Sequence, residues 1–265
     1  MRLERRDRLV LAEAFLSRVI RRRDLIGLGH FSSIGRCNAR LLALKGGGYL
    51  VARTELGGVS MSAPIYMCTA RGVRIAAEES GIAPEEAIET HRMGLRDLAV
   101  RHALRCCDLR LQFLRDSRSE SGIDLSRWSH EILCHHEFST EWGNRIVMKP
   151  DGLAVLQCGH REHFLFIEAD LGNAALPKMR EKFSRYDRYA ASGAFSEAYG
   201  ADGFAVLTVT TDERRMQNLL AIAQGPQYLF STWRRLEAQS LYGNSLASGD
   251  GSFNSMRYWM EGTVR

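Results

Sequence analysis

The chain has 265 residues, a hydrophobic share of 45%, a charged share of 25% and a net charge of +5. That is the balance of a soluble globular protein with room for one large domain or two modest ones. No apolar run approaches the length that spans a bilayer. Acids interrupt the basic opening MRLERRDRLVLAEAF, so no signal-peptide core follows and a cytoplasmic location is expected.

Charge is unevenly divided. Residues 1–118 hold 21 Lys+Arg against 13 Asp+Glu, and the remainder 15 against 18. Twenty of the first 21 cations are arginine, the side chain whose planar fork grips phosphate. A basic first half and a mildly acidic second half point to nucleic-acid binding joined to a separate task. The six cysteines form no CxxC pair and read as small buried hydrophobes. Neither Cys134-His135-His136 nor the set Cys158, His160 and His163 has the spacing of a structural zinc site.

In chain order, Leu9, Leu11, Phe15 and Val19 fall at helical spacing and predict a helix over 5–23. Ser32-Ser33 is a helix start, and Ile34, Cys37, Leu41 and Leu42 are expected on its inner side until Gly46-Gly47-Gly48 ends it. Arg36 and Arg40 are expected on its exposed side. Strands are predicted at 49–53 and 65–68, joined by the long polar loop TELGGVSMSAP, with a further helix from Thr69-Ala70-Arg71-Gly72 to about Ser80. Helix, helix, hairpin, helix is the order of a winged helix-turn-helix, in which Arg36, Arg40 and Arg53 would face DNA. A long helix is predicted from Pro84 to about Arg115. The polar tract Asp116–Asp124 marks a boundary, giving domains 1–118 and 119–265.

The second half predicts a short amphipathic segment at 128–134, strands at 145–149, 153–157, 164–167 and 204–210, helices at 176–192 and 212–224, and a loose tail after Gly243. This is an α/β domain, and α+β describes the whole chain. If 153–157 and 163–167 pair as a hairpin, Asp151 and Glu168 meet at one end. Glu168 and Asp170 are two apart and share a face if the strand continues. Glu131 is placed to complete the group. Magnesium or manganese takes such hard oxygen ligands, while acids at strand ends are also common simply because strand ends meet water. Lys178 and Lys182, four apart, lie on one face of the following helix.

Several pieces together resemble the replication-relaxation family of plasmid and mobile-element proteins. They are Arg6-Asp7-Arg8, Thr69-Ala70-Arg71-Gly72, the helix around His102, Trp128 with Glu131, Pro150-Asp151, Glu168-Ala169-Asp170-Leu171-Gly172, and the Lys182, Tyr186, Tyr189 helix. The resemblance implies an N-terminal winged helix followed by a restriction-endonuclease-like mixed-sheet domain of the PD-(D/E)XK type. It assigns catalysis to Asp151, Glu168, Lys182 and Glu131. It assigns Mg²⁺ or Mn²⁺ to Asp151, Glu168 and Asp170. Asp170 stands where the final lysine of that pattern normally falls, and Lys182 is the candidate that replaces it from the next helix. The expected function is metal-dependent DNA cleavage or nicking in replication, relaxation or transfer. Expected partners are double-stranded DNA and a relaxase or replication protein, with a homodimer compatible and no membrane. The rival readings are a non-catalytic accessory protein and a transcriptional regulator.

Overall fold

The structure, a computed structural model, describes residues 2–91, 96–119, 122–140, 142–223, 225–243, 245–251 and 255–262. Helices and strands in both halves make it an α+β protein. It divides into two compact units, Met1–Leu111 and Gln112–Arg265.

The first unit runs α1 (Arg5–Leu16), β1 (Ile20–Arg21), α2 (Arg22–Gly27), α3 (Ile34–Gly46), β2 (Leu50–Leu56), β3 (Val59–Cys68), α4 (Ala70–Ser80), α5 (Pro84–His91) and the first part of α6 (Asp97–Ser119), which ends in the second unit. The three strands of the first unit form an antiparallel sheet in the order β1-β3-β2. The helix expected over 5–23 is therefore cut short. Ser17 ends it, Arg18 takes a left-handed backbone with φ of 60°, and Ile20-Arg21 pairs with Ile65-Tyr66. The expected long loop is also mostly strand. Leu56 pairs with Val59 around Gly57-Gly58, whose φ angles are 65° and 74°. Two consecutive positive φ values are the signature of the tight turn that matches strand twist, and glycine adopts them without strain.

The motif Thr69-Ala70-Arg71-Gly72 is a structural clamp between α4 and β2. Thr69 Oγ1 donates to the Gly48 carbonyl at 2.7 Å and accepts from the Gly72 N–H, capping α4. Arg71 lies over the Tyr49 ring at 4.4 Å and donates to the Gly47 carbonyl. A Cβ at Gly72 would collide with the Tyr49 carbonyl, so glycine is required there for the close approach.

The second unit continues with β4 (Ile123–His130), a 3-10 turn (Glu131–Cys134), β5 (His136–Ser139), β6 (Arg145–Met148), β7 (Gly152–Cys158), β8 (Arg161–Ala169), α7 (Leu176–Ala191), α8 (Ala194–Tyr199), β9 (Phe204–Thr210), α9 (Glu213–Leu220), β10 (Tyr228–Thr232), α10 (Trp233–Ala238), β11 (Ala247–Ser248) and α11 (Met256–Gly262). Six strands form one mixed sheet, β11-β10-β9-β8-β7-β4, while β5 and β6 form a separate hairpin. The β7–β8 pair is antiparallel, and β8, β9 and β10 run parallel. α7 and α8 make the crossover from β8 to β9. α7 lays Met179, Phe183, Tyr186 and Tyr189 against Leu153, Val155, Phe164, Phe166, Val206 and Phe230. Leu165, Ile167, Leu207 and Leu229 are fully buried as well, so the central strands are apolar on both faces.

Two other expectations change. The polar tract expected at 116–124 is partly structured: Asp116 is buried near the end of α6 and accepts from the Leu241 N–H at 2.7 Å. The tail beyond Gly243 contributes β11 and α11, and Met256 and Trp259 are buried. Both differences have one cause. A polar sequence reads as loop until a distant backbone group supplies its hydrogen bond, and that partner is invisible locally.

Candidate functional site

The site is built at the carboxyl end of β8, where it leaves the sheet toward α7. Crevices at the carboxyl ends of parallel strands are where open α/β sheets bind ligands. Glu168 is the penultimate residue of the strand, sits opposite Thr208 of β9, and is 2% exposed. Asp151 directly precedes β7 and is clamped to the β8 backbone in two ways. Its N–H donates to the Ile167 carbonyl at 2.9 Å, and its Oδ2 accepts from the Ala169 N–H at 2.8 Å. The β7–β8 hairpin therefore brings Asp151 to Glu168, as the pairing read from the sequence requires.

α7 supplies the cation and a hydroxyl. Lys182 forms an ion pair with Glu168 Oε2 and lies 3.8 Å from Asp151 Oδ1. Tyr186, one turn later, donates to Glu168 Oε1 at 2.5 Å. The spacing of four puts both on the face of α7 that looks at the sheet. Pro177 in the first turn of α7 has no N–H to leave unsatisfied, which suits that position. Glu131, on the 3-10 turn that follows β4, has a carboxylate oxygen within 4.8 Å of one of Asp151. The structure thus gathers Glu131, Asp151, Glu168 and Lys182 in one place.

Electrostatics follow from burial. Desolvation pushes the Glu168 carboxyl up to about 8, and the nearby Asp151 charge pushes the same way. The Lys182 ammonium and the Tyr186 hydroxyl pull it down without prevailing. Burial and the Glu168 charge also push the Tyr186 phenol well above its ordinary range. Beside Glu168, the Thr208 hydroxyl is fully buried with no hydrogen-bond partner among the described residues. A hard-oxygen donor set with an unused hydroxyl at its wall fits a hydrated divalent cation. Asp151 with Glu131 beside it, and Glu168 across the Lys182 ammonium from Asp151, are the acids that would hold it, although among the described residues these three do not bring ligand atoms all within 4.8 Å of one another.

Asp170 belongs elsewhere. Its carboxylate takes a fork from Arg215 of α9, at 2.8 and 3.3 Å, and a hydroxyl from Thr210 at 2.6 Å. β8 ends at Ala169, so the alternation that would have aligned Asp170 with Glu168 stops one residue short. Among the described residues, Asp151, Glu168 and Asp170 do not form a set of three ligand atoms all within 4.8 Å of one another. The Cys/His tracts around Cys134 and Cys158 form no such set either.

The three arginines expected on DNA have different surroundings. Arg36 is exposed on the first turn of α3. Arg40 is not on a free face: its guanidinium is paired in two places with Asp7, which is completely buried. Arg53 pairs with Asp97 and donates to the Glu55 carbonyl at 2.9 Å. On α3 the core side is Cys37, Leu41 and Leu44, while Ile34 and Leu42 are 57% and 61% exposed. Leu41 and Leu42 are 100° apart on a helix and cannot share the inner side. Tyr186 and Thr208 are the site residues missed by reading residues alone. The only local signal was the spacing from Lys182 to Tyr186.

The fold and this cluster define an α+β protein whose second unit holds acids and one lysine at the carboxyl end of a parallel strand. The model of the replication-relaxation family matches residues 20–204, and the chain belongs to that family. No curated protein and no solved structure matches it. Membership supports a role in replication or relaxation of a plasmid or other mobile element. No helix among the described residues is long and apolar enough to cross a membrane.

Proposed function

We propose that the chain is a DNA-binding protein whose second unit hydrolyses a phosphodiester bond with Mg²⁺ or Mn²⁺ during replication or relaxation of a mobile element. The observation that carries this reading is the convergence of Asp151, Glu168 and Lys182, with Glu131 beside Asp151. These are the residue types that the PD-(D/E)XK pattern uses, with the lysine delivered from α7. A bound divalent cation would supply charge neutralisation at the scissile phosphate and a water acidic enough to attack it. The chain's own groups do the rest. The Ala169 N–H fixes the Asp151 carboxylate, Tyr186 fixes Glu168, and the Lys182 ammonium opposes the charge that grows on the phosphate oxygens. The attacking water gives up a proton to solvent as its oxygen bonds to phosphorus, the phosphorus–oxygen bond to the sugar breaks, and the departing sugar oxygen takes a proton from solvent.

In the first unit the order α1-β1-α2-α3-β2-β3-α4, with a tight glycine turn at the hairpin tip, supports a winged helix. Its α3 would be the element for the major groove, with Arg36 available to it. The test is supercoiled plasmid incubated with Mn²⁺ or Mg²⁺. Nicked or linear product is expected, and it disappears in Asp151→Ala and Glu168→Ala. Intact plasmid with every metal, together with retained DNA binding, favours the second reading, an accessory protein that recruits a relaxase or replication initiator. The Lys182 ion pair favours that reading, because it occupies one acid and approaches another.

A further inference from the structure

The β5–β6 hairpin is inserted between two acids of the site. Glu131 lies five residues before it and Asp151 three residues after it. Its inner side is anchored: Phe138 and Met148 are 5% and 2% exposed, and the Phe138 and His136 rings lie 5.1 and 5.2 Å from the Tyr189 ring of α7. Tyr189 is three residues beyond Tyr186, so hairpin and site share one rigid helix. The apex is fixed by its own hydrogen bonds. Gly143 N–H donates to the Thr140 carbonyl at 2.9 Å, Asn144 N–H to Thr140 Oγ1 at 3.2 Å, and Thr140 N–H to the Asn144 carbonyl at 2.9 Å.

On this anchored apex stands Trp142, 86% exposed. The other three tryptophans, Trp128, Trp233 and Trp259, are at most 8% exposed. Its described neighbours in the sequence, Thr140, Gly143, Asn144 and Arg145, are polar or without a side chain. Arg145 on the hairpin is exposed and ion-paired with Glu137, while Lys149 just after the hairpin and Lys178 and Arg180 on α7 are exposed cations. A flat, exposed indole on an arm inserted between two acids of a phosphate-cutting site matches one ligand chemistry: a nucleobase whose own backbone reaches that site. At about 3.3 Å per extended residue the apex lies no more than about 30 Å along the chain from Asp151. That is within about nine base steps of duplex.

We infer that Trp142 is a base-stacking residue that engages an unpaired nucleotide of the DNA near the cleavage point, so the preferred substrate is DNA with an unpaired or melted stretch. This rests on the DNA-cleavage reading above and names its substrate class.

Because Trp142 is the exposed indole, tryptophan emission reports the contact directly. The full-length protein is titrated in Ca²⁺ with a fluorescein-labelled 20-mer in three forms: single-stranded, duplex with one unpaired base, and fully paired. Anisotropy of the label is read alongside tryptophan emission. Emission is expected to be quenched by the first two forms more than by the third. Trp142→Ala should lose the quench and weaken binding to those two about 5- to 150-fold, and Trp142→Phe should retain most of the affinity. Quenching of equal size by all three forms, or a Trp142→Ala protein with unchanged affinity, overturns the inference and leaves DNA binding standing. No anisotropy change with any form removes the DNA reading and the inference together. A Trp142→Ala protein that differs only in sedimentation assigns the indole to self-association and also overturns it.

Discussion

Buried acids are handled in two ways, and the acidic cluster of the second unit is the exception. In the first unit, Asp7, Glu13 and Asp24 each meet an arginine, as Asp170 of the second does with Arg215. Asp7 pairs with Arg40, Asp24 with Arg21 at 2.8 Å, and Glu13 with Arg110 at 2.6 Å, with His30 3.4 Å from Glu13. At the candidate site of the second, Asp151 and Glu168 share one lysine, Lys182, with Glu131 beside Asp151. The consequence is visible in acidity. Burial pushes Glu13 up, but His30 and Arg110 outweigh it and hold the carboxyl down at about 2. Burial of Glu168 prevails over Lys182 and leaves that carboxyl at about 8. A balanced pair is architecture. An excess of acid left uncompensated costs stability, and such strain is kept where a ligand will use it.

The largest expected effect falls on the balanced side. Asp7→Ala removes the partner of Arg40 and the acid that accepts the Glu4 N–H at 2.7 Å at the start of α1. Truncating one member of a buried pair costs about 3–5 kcal/mol. Urea unfolding should show that loss in the first unit's transition, and adding Arg40→Met should recover part of it. A loss below about 1 kcal/mol would mean that the Asp7–Arg40 pair is a surface ornament.

Acid titration comes next. The folded-state value for Glu13 lies below its ordinary 4.5, so its contribution is present above about 4.5 and is lost as pH falls toward about 2. The shift corresponds to about 3 kcal/mol. Glu13→Gln should flatten the stability profile across that window, as read by thermal melts at stepped pH.

Glu168 should show the reverse sign. Its folded-state value lies above 4.5, so its contribution is full below about 4.5 and is lost as pH rises through about 8. The slope is at most about 1.4 kcal/mol per pH unit. Glu168→Gln keeps the shape, cannot ionise, and should leave stability at neutral pH within about 1 kcal/mol of the parent or above it while plasmid cleavage is lost. An equally sloped profile in Glu168→Gln would place the titrating group elsewhere.

What could be read in advance divides along the same line. The β7–β8 hairpin, β9, α3, α4 and α7 were legible because their apolar periodicity is local and their ends carry Ser33, Thr69 or Pro177. The meeting of Asp151 with Glu168 followed from the hairpin alone. The fates of Asp170 and Arg40 did not, because Arg215 lies 45 residues away from the first and Asp7 33 residues from the second. A charge on an exposed-looking position declares its role only when its partner arrives by tertiary folding. The element β4 was missed for a related reason: 116–124 reads as a polar boundary and Trp128–Cys134 as a short amphipathic segment, so the strand Ile123–His130 across them has no local signal. It pairs along β7, with Arg127 opposite Val155 and His130 opposite Gly152.

The smallest effect tests how far Tyr186 belongs to the site rather than to the core. Tyr186→Phe keeps the ring against Phe166 and Phe204, at 5.6 and 6.1 Å, and deletes only the hydroxyl on Glu168. One hydrogen bond is worth about 1 kcal/mol net. That bond favours the charged carboxylate, so its loss should move the decline in stability to higher pH than in the parent. A core role predicts the same loss of about 1 kcal/mol at every pH. A shift of the midpoint, absent when Glu168→Gln is combined with Tyr186→Phe, ties the phenol to the carboxylate that the acidic cluster leaves uncompensated.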